Sequence, residues 1–190
     1  MKGGVRWVQL RMKNASDSEI EEQAAEALKI TQHYGGILII NDNPYIAHKV
    51  NADGVHLGRM DIAPSEARLI LGPAKIIGGT SNTLDDIHYL RLQQVDYIGL
   101  GPFRNTNTEK QLMPVISLPS YSHILEQINK EGASAPLIAI GGILESDLDS
   151  IFATGIHGVA ISRAIALSND ITATSKQFVK DVNHLLKERK

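Results

Sequence analysis

The sequence predicts an α/β chain built on a parallel sheet, best satisfied by a (β/α)8 TIM barrel. Short apolar, β-branched runs alternate with segments of helical periodicity along the whole chain, a density that demands a parallel sheet with helices outside it. Every one of these strand-like runs ends in small or polar residues, which a parallel sheet gathers on one face, where such barrels place their sites. A doubly wound sheet satisfies the alternation as well, but the shared polar face favours the barrel. The strand count reaches seven, one short of a full barrel, and because the chain starts directly on a strand, the first strand and helix are expected upstream of Met1.

Val5 to Leu10 reads as the opening strand and ends in Arg11 and Lys13. Ser16 and Glu19 form a capping-box pattern ahead of Ile20, Ala24, Ala27, Leu28 and Thr31, whose spacing gives one apolar helical face that Gly35-Gly36 terminates. Ile37 to Ile40 is the continuous apolar run of a strand buried on both faces, breaking into Asn41 and Asp42. Pro44 opens a helix to about Val50, and after Ala52-Asp53-Gly54 a strand over Val55 to Leu57 runs out through Gly58 to Asp61. Glu66 to Leu71 is helical, and Lys75 to Ile77 is a strand that leaves through Gly78-Gly79-Thr80. Thr83 with Asp86 caps a helix to about Gln93. Tyr97 to Leu100 is the next strand, followed by the polar loop GPFRNTNTEKQLMP and a helix around Tyr121 to Asn129. Leu137 to Ile140 leads into Gly141-Gly142 and a helix from about Ser146 to Phe152; Val159 to Ile161 leads into Ser162 and Arg163. Phe178, Val182, Leu185 and Leu186 give the closing helix its apolar face.

Composition sets the outer bounds. With 190 residues, 43% of them hydrophobic and 21% charged, the chain is long enough for one sizeable core, so a single domain over residues 1–190 is expected. A net charge of −2 gives no reason to expect nucleic acid or a membrane surface as partner. The absence of cysteine excludes disulfides, thiolate metal sites and thiol nucleophiles. No apolar run reaches membrane-spanning length, and Met1-Lys2-Gly3-Gly4 lacks the apolar core of a signal peptide, so a cytoplasmic protein is expected.

In a parallel sheet Asp42 and Asp61 share one carboxyl edge. Either acid alone would serve as a cap or turn former; two carboxylates beside the Asn41 amide are hard oxygen donors suited to Mg²⁺ carrying a phosphorylated substrate. Arg11 and Lys13 alternate with Met12 and would point to one side of a continuing strand, a pairing that suits a diphosphate. The seven histidines show no ligand spacing. His56 is expected to be a packed histidine bonded to backbone, and Trp7 and Tyr97 are expected in the core.

The series Gln9-Leu10-Arg11-Met12-Lys13, Ile40-Asn41-Asp42, Ala52-Asp53-Gly54-Val55-His56-Leu57-Gly58 through Asp61, Gly99-Leu100-Gly101-Pro102-Phe103 with Thr106 and Thr108, and Ile140-Gly141-Gly142-Ile143 resembles the thiamine phosphate synthase family over nearly the whole chain. The resemblance implies a Mg²⁺-dependent transferase that joins hydroxymethylpyrimidine diphosphate to thiazole phosphate, releasing diphosphate and forming thiamine phosphate. Its partners are then these two small molecules, with self-association left open. It further implies that Asp42 and Asp61 hold Mg²⁺, and that Arg11, Lys13 and Asn41 hold the diphosphate, with Gln9 among the substrate-binding residues. Ile77-Gly78-Gly79-Thr80 aligns with the family's Ile-Gly-x-Ser, placing the Thr80 hydroxyl on the diphosphate; Arg11, Lys13 and Thr80 are thus the candidate catalytic residues. Thr106 and Thr108 match the Thr-x-Thr that holds the thiazole phosphate. Where the family has a diphosphate-binding lysine next, this chain has Glu109, followed by Lys110 as a substitute. Gly142, Ser162 and Arg163 are expected to complete a phosphate cup on the last two strand ends. Two other readings are a thiazole tautomerase, a relative that tends to lose the diphosphate and Mg²⁺ residues retained here, and an inactive phosphate-binding remnant.

Overall fold

The computed structural model describes residues 1–105, 113–132 and 135–189. Among these, seven strands form one sheet in sequence order, β1 (Trp7–Leu10), β2 (Ile37–Asn41), β3 (Gly54–Leu57), β4 (Ile76–Ser81), β5 (Tyr97–Leu100), β6 (Leu137–Ala139) and β7 (Gly158–Val159). Every neighbouring pair is parallel. The crossovers are α1 (Asp17–His33), α2 (Pro44–Lys49), α3 (Pro64–Leu71), α4 (Leu84–Leu92), α5 (Leu118–Lys130) and α6 (Leu148–Ala153), with α7 (Arg163–Ala166) and α8 (Ile171–Lys187) after the last strand. None of the described helices is long and apolar enough to cross a membrane.

The helices start where local chemistry satisfies their free N–H groups. Ser16 Oγ accepts from Glu19 N at 3.4 Å while Glu19 Oε2 accepts from Ser16 N at 2.8 Å, the reciprocal box expected at α1. Thr83 and Asp86 do the same for α4. Asn43 Oδ1 accepts from Tyr45 N and Ile46 N, both at 3.0 Å, ahead of Pro44, and each such cap is worth about 1 kcal/mol.

Alternation along the strands separates two interiors. Leu38 and Ile40, Val55 and Leu57, Ile98 and Leu100 join the helices in the main apolar core. Residues between them face the concave side, where the Trp7 ring of β1 meets the Tyr97 ring of β5 edge-on at 5.4 Å. A contact between the first and fifth strands requires the sheet to curl, and the result is the open, seven-stranded form of a TIM barrel.

Three expectations change. Gly78-Gly79 does not end its strand: a Cβ on Gly78 would lie 2.1 Å from Tyr97 Cζ, and one on Gly79 2.4 Å from Leu90 Cδ2. The glycines make room for a ring on one face and a helix on the other, so the ladder continues to Ser81. Trp7 is not a core residue. It lies on the concave face and remains 46% exposed, because β1 is an end strand and pairs only with β2. A short helix, α7, follows directly on Ser162, where only a strand end is expected.

Candidate functional site

The carboxyl ends of β2 and β3 bring Asp42 and Asp61 into hydrogen-bonding contact. The chain reaches this arrangement through backbone geometry. Asp42 N donates to His56 O at 2.8 Å, extending the ladder by one step, and Asp42 then turns into a left-handed conformation with φ 67°. A residue with a side chain pays for that conformation, and such costs concentrate at functional positions. Asp61 is held from the other side, its Oδ2 accepting from Gly58 N at 2.6 Å across the turn that follows β3.

The electrostatics of the pair are unfavourable. Burial, then the charge of Asp61 and its hydrogen bond, push the Asp42 carboxyl up to about 6; Lys13 and Arg11 pull in the opposite direction without cancelling the rise. Two carboxylates this close, one of them holding its proton up to about pH 6, form a site in which a divalent cation can replace that proton. The donor set suits Mg²⁺, which takes one or two protein carboxylates and completes its shell with water and phosphate oxygens. Among the described residues no group of three His, Cys, Asp or Glu side chains gathers in this way, so an all-protein cage is not on offer.

Gln9 lies on the concave face of β1 with Trp7, and Asn41 is paired in register with His56 on β3. Thr80, two residues beyond Gly78, also faces inward, and its Oγ1 lies 2.8 Å from His56 Nε2. The opposite ring nitrogen, Nδ1, lies 2.9 Å from the Tyr97 hydroxyl. His56 is therefore not bonded to backbone as expected: its ring joins two side-chain hydroxyls across β3, β4 and β5. Burial lowers its pKa to about 4, so the imidazole is neutral at physiological pH, and burial likewise raises the Tyr97 phenol and keeps it protonated. The sequence marks His56 only by its alternation with Val55 and Leu57, which predicts an inward side chain but not its partners.

The ends of β5, β6 and β7 form the other half of the face. Thr106, Thr108, Glu109 and Lys110 lie outside the described residues. The ends of their loop are pinned, because Asn82 Nδ2 donates to Gly101 O at 2.9 Å and to Pro114 O at 2.8 Å. Gly141 and Gly142 both have positive φ, 92° and 68°, and Gly142 is exposed. Ser162 and Arg163 are also exposed, Arg163 forming the first residue of α7.

Two further residues are absent from the sequence reading. Arg104 forms a two-pronged ion pair with Asp147, NH2 donating to Oδ1 at 2.6 Å and NH1 to Oδ2, and NH1 also donates to Gly142 O at 3.1 Å. Asp147 is buried and accepts from Leu144 N at 2.8 Å. Arg104 sits in a polar loop and Asp147 at a helix start, and neither position carries a signal of its own.

Comparison with known proteins gives a consistent picture. A family model described as thiamine monophosphate synthase matches residues 1–165. A thiamine-phosphate synthase of Bacteroides fragilis is 43% identical over 179 residues, covering 94% of this chain and 88% of the relative. One of Flavobacterium johnsoniae is 44% identical over 186 residues, covering 98% and 86%. Among solved structures, a thiamine phosphate pyrophosphorylase from Pyrococcus furiosus superposes with a TM-score of 0.85 at 29% identity, covering 97% of this chain and 86% of the other.

Proposed function

This chain belongs to the thiamine monophosphate synthase family and is an enzyme that makes thiamine phosphate, and we propose that it does so from hydroxymethylpyrimidine diphosphate and thiazole phosphate at the strand-end site. The observation that carries this reading is the Asp42–Asp61 carboxyl pair with Lys13 and Arg11 close enough to act on it. Opposed charges at one strand edge suit a leaving diphosphate and a divalent cation together.

Cleaving the bond from carbon to diphosphate leaves negative charge on the leaving group and positive charge on the pyrimidine methylene. The first is the protein's task. Arg11 and Lys13, just beyond the end of β1 and both near enough to act on Asp42, bind the diphosphate oxygens, and the Asn41 amide donates to them from the adjacent strand. Asp42 and Asp61 hold Mg²⁺, which when bound offsets charge on the diphosphate and aligns it. Thr80 contributes a further donor. With the Tyr97 phenol donating to His56 Nδ1, Nε2–H donates to Thr80 Oγ1, leaving the threonine proton to be given to a diphosphate oxygen. The pyrimidine cation is resonance-stabilised and the thiazole nitrogen captures it, so no protein nucleophile or general base is needed.

Thiazole phosphate is held at the opposite side of the face, by Thr106 and Thr108 and by a cup that includes Gly142, Ser162 and Arg163. For the leaving diphosphate, Lys110 supplies the cation that Glu109 does not. The test is direct: incubation of the purified protein with both substrates and Mg²⁺ yields thiamine phosphate and one equivalent of diphosphate. A folded sample that forms neither product overturns the assignment.

A further inference from the structure

The loop after β6 has a property that follows from how its carbonyls are held. Gly141 O accepts from Arg104 N at 3.0 Å, and Gly142 O accepts from the Arg104 guanidinium at 3.1 Å. Both bonds come from one residue. Each carbonyl belongs to a planar trans peptide, in which the N–H of the following residue points opposite to the C=O. Fixing the Gly141 carbonyl therefore aims the Gly142 N–H, and fixing the Gly142 carbonyl aims the Ile143 N–H, both away from Arg104. Two consecutive N–H groups that both point away from the Arg104 guanidinium are placed to act together on one anion.

The arginine is itself held. Asp147 grips the guanidinium through both carboxylate oxygens while accepting from Leu144 N, so the anchor belongs to the same loop as the glycines. The Phe103 ring packs 4.9 Å below the guanidinium. The Arg104 hydrogen bond in turn holds the Asp147 carboxyl below its ordinary range, and Asp147 is thus an ion across physiological pH.

We infer that Arg104, anchored by Asp147, is a positioning residue for the thiazole phosphate: it sets the direction of the Gly142 and Ile143 N–H groups across the β5 and β6 loops without touching the substrate. This rests on the reading of the Gly142 loop as part of the phosphate cup. It makes a distinction that a plain cationic contact would not, because lysine carries the same charge but lacks the fork that grips Asp147 and Gly142 together.

The experiment compares Arg104→Lys, Arg104→Met, Asp147→Asn and Gly142→Ala by steady-state kinetics with each substrate varied in turn, and by thermal melting. Both Arg104 variants and Asp147→Asn raise the KM for thiazole phosphate about tenfold, as loss of an outer support typically does, and leave the KM for the pyrimidine diphosphate unchanged. Wild-type KM in Arg104→Lys, with a raised value in Arg104→Met, would show a direct charge contact and overturn positioning. Parallel rises in both KM values accompanied by a lower melting temperature would show a merely structural pin and also overturn it. Gly142→Ala separates the premise from the inference. If it raises the thiazole KM while the Arg104 variants do not, the cup stands and the inference fails; if it leaves that KM unchanged in a folded protein, the cup reading fails and takes the inference with it.

Discussion

Two aspartate sites lie on the same rim and are built on opposite principles. At the ends of β2 and β3, Asp42 faces Asp61, and like charge with partial burial pushes its carboxyl up to about 6. Across the rim Asp147 meets Arg104, and opposite charge with a two-pronged hydrogen bond holds its carboxyl down. The first pair is like-charged and only partly offset by Lys13 and Arg11; the second is complete in itself. A charge left uncompensated by its own protein marks a place where a ligand completes the arrangement, whereas a compensated one marks scaffold.

The largest expected effect is on the like-charged pair. Asp42→Asn or Asp61→Asn lowers kcat/KM for thiamine phosphate formation at least about 100-fold, because each removes one of the two carboxylates proposed to hold the cation. The asparagine at position 42 is conformationally benign, since asparagine tolerates the left-handed backbone that Asp42 adopts. A comparable loss of kcat in Asp147→Asn would break the comparison.

Thr80 lies between the extremes, its hydroxyl bonded on one side to His56. Thr80→Ala lowers kcat by about 10- to 100-fold, the lower end of the loss when a preorganised donor is removed, and Thr80→Ser restores most of it. An unchanged kcat in the alanine variant would remove Thr80 from the site.

Stability sharpens the contrast. Asp147→Ala leaves the Arg104 guanidinium and Leu144 N without their shared acceptor and costs about 1–3 kcal/mol, which melting curves register as a fall of several degrees. Asp42→Asn, in EDTA near neutral pH, raises the melting temperature slightly by relieving repulsion. The reverse order of these two shifts would contradict the division into scaffold and site.

The smallest effect is one of slope against pH. The folded pKa of Asp42, about 6, exceeds its ordinary value of 3.8, so the folded state binds more protons between them. Its contribution to metal-free stability therefore falls as pH rises through that window. Asp147 has the opposite sign: its folded pKa is lowered, so its contribution is fully present above the ordinary carboxylate value and is lost as pH falls through the folded one. Melting curves against pH in EDTA should show Asp42→Asn flattening the decline and Asp147→Asn flattening the rise.

The reading of the sequence reached the parallel strand-helix alternation because periodicity is a local signal, and the capping boxes at Ser16 and Thr83 for the same reason. It placed Asp42 and Asp61 on one edge because strand ends in a parallel sheet must share a face. It misread Gly78-Gly79 because the reason for those glycines, the Tyr97 ring and Leu90, lies on other elements. His56 bonded to Thr80 and Tyr97, and Arg104 bonded to Asp147, were illegible for a related reason. Side-chain partners 24 to 43 residues apart in the chain leave no spacing pattern that period or motif can detect.

The most direct test of the claim that Asp42 and Asp61 form half of a cation site is a Mg²⁺ titration of product formation. Wild type and Asp42→Asn are compared at neutral pH and at a pH below the Asp42 value of about 6. The wild-type enzyme should be inactive in EDTA, and its half-saturating Mg²⁺ should rise at the lower pH, where a proton competes for the pair. Asp42→Asn should need at least about tenfold more Mg²⁺ and lose most of that pH dependence. Equal rates for the wild type in EDTA and in Mg²⁺, or a wild-type Mg²⁺ requirement in the variant, would contradict it.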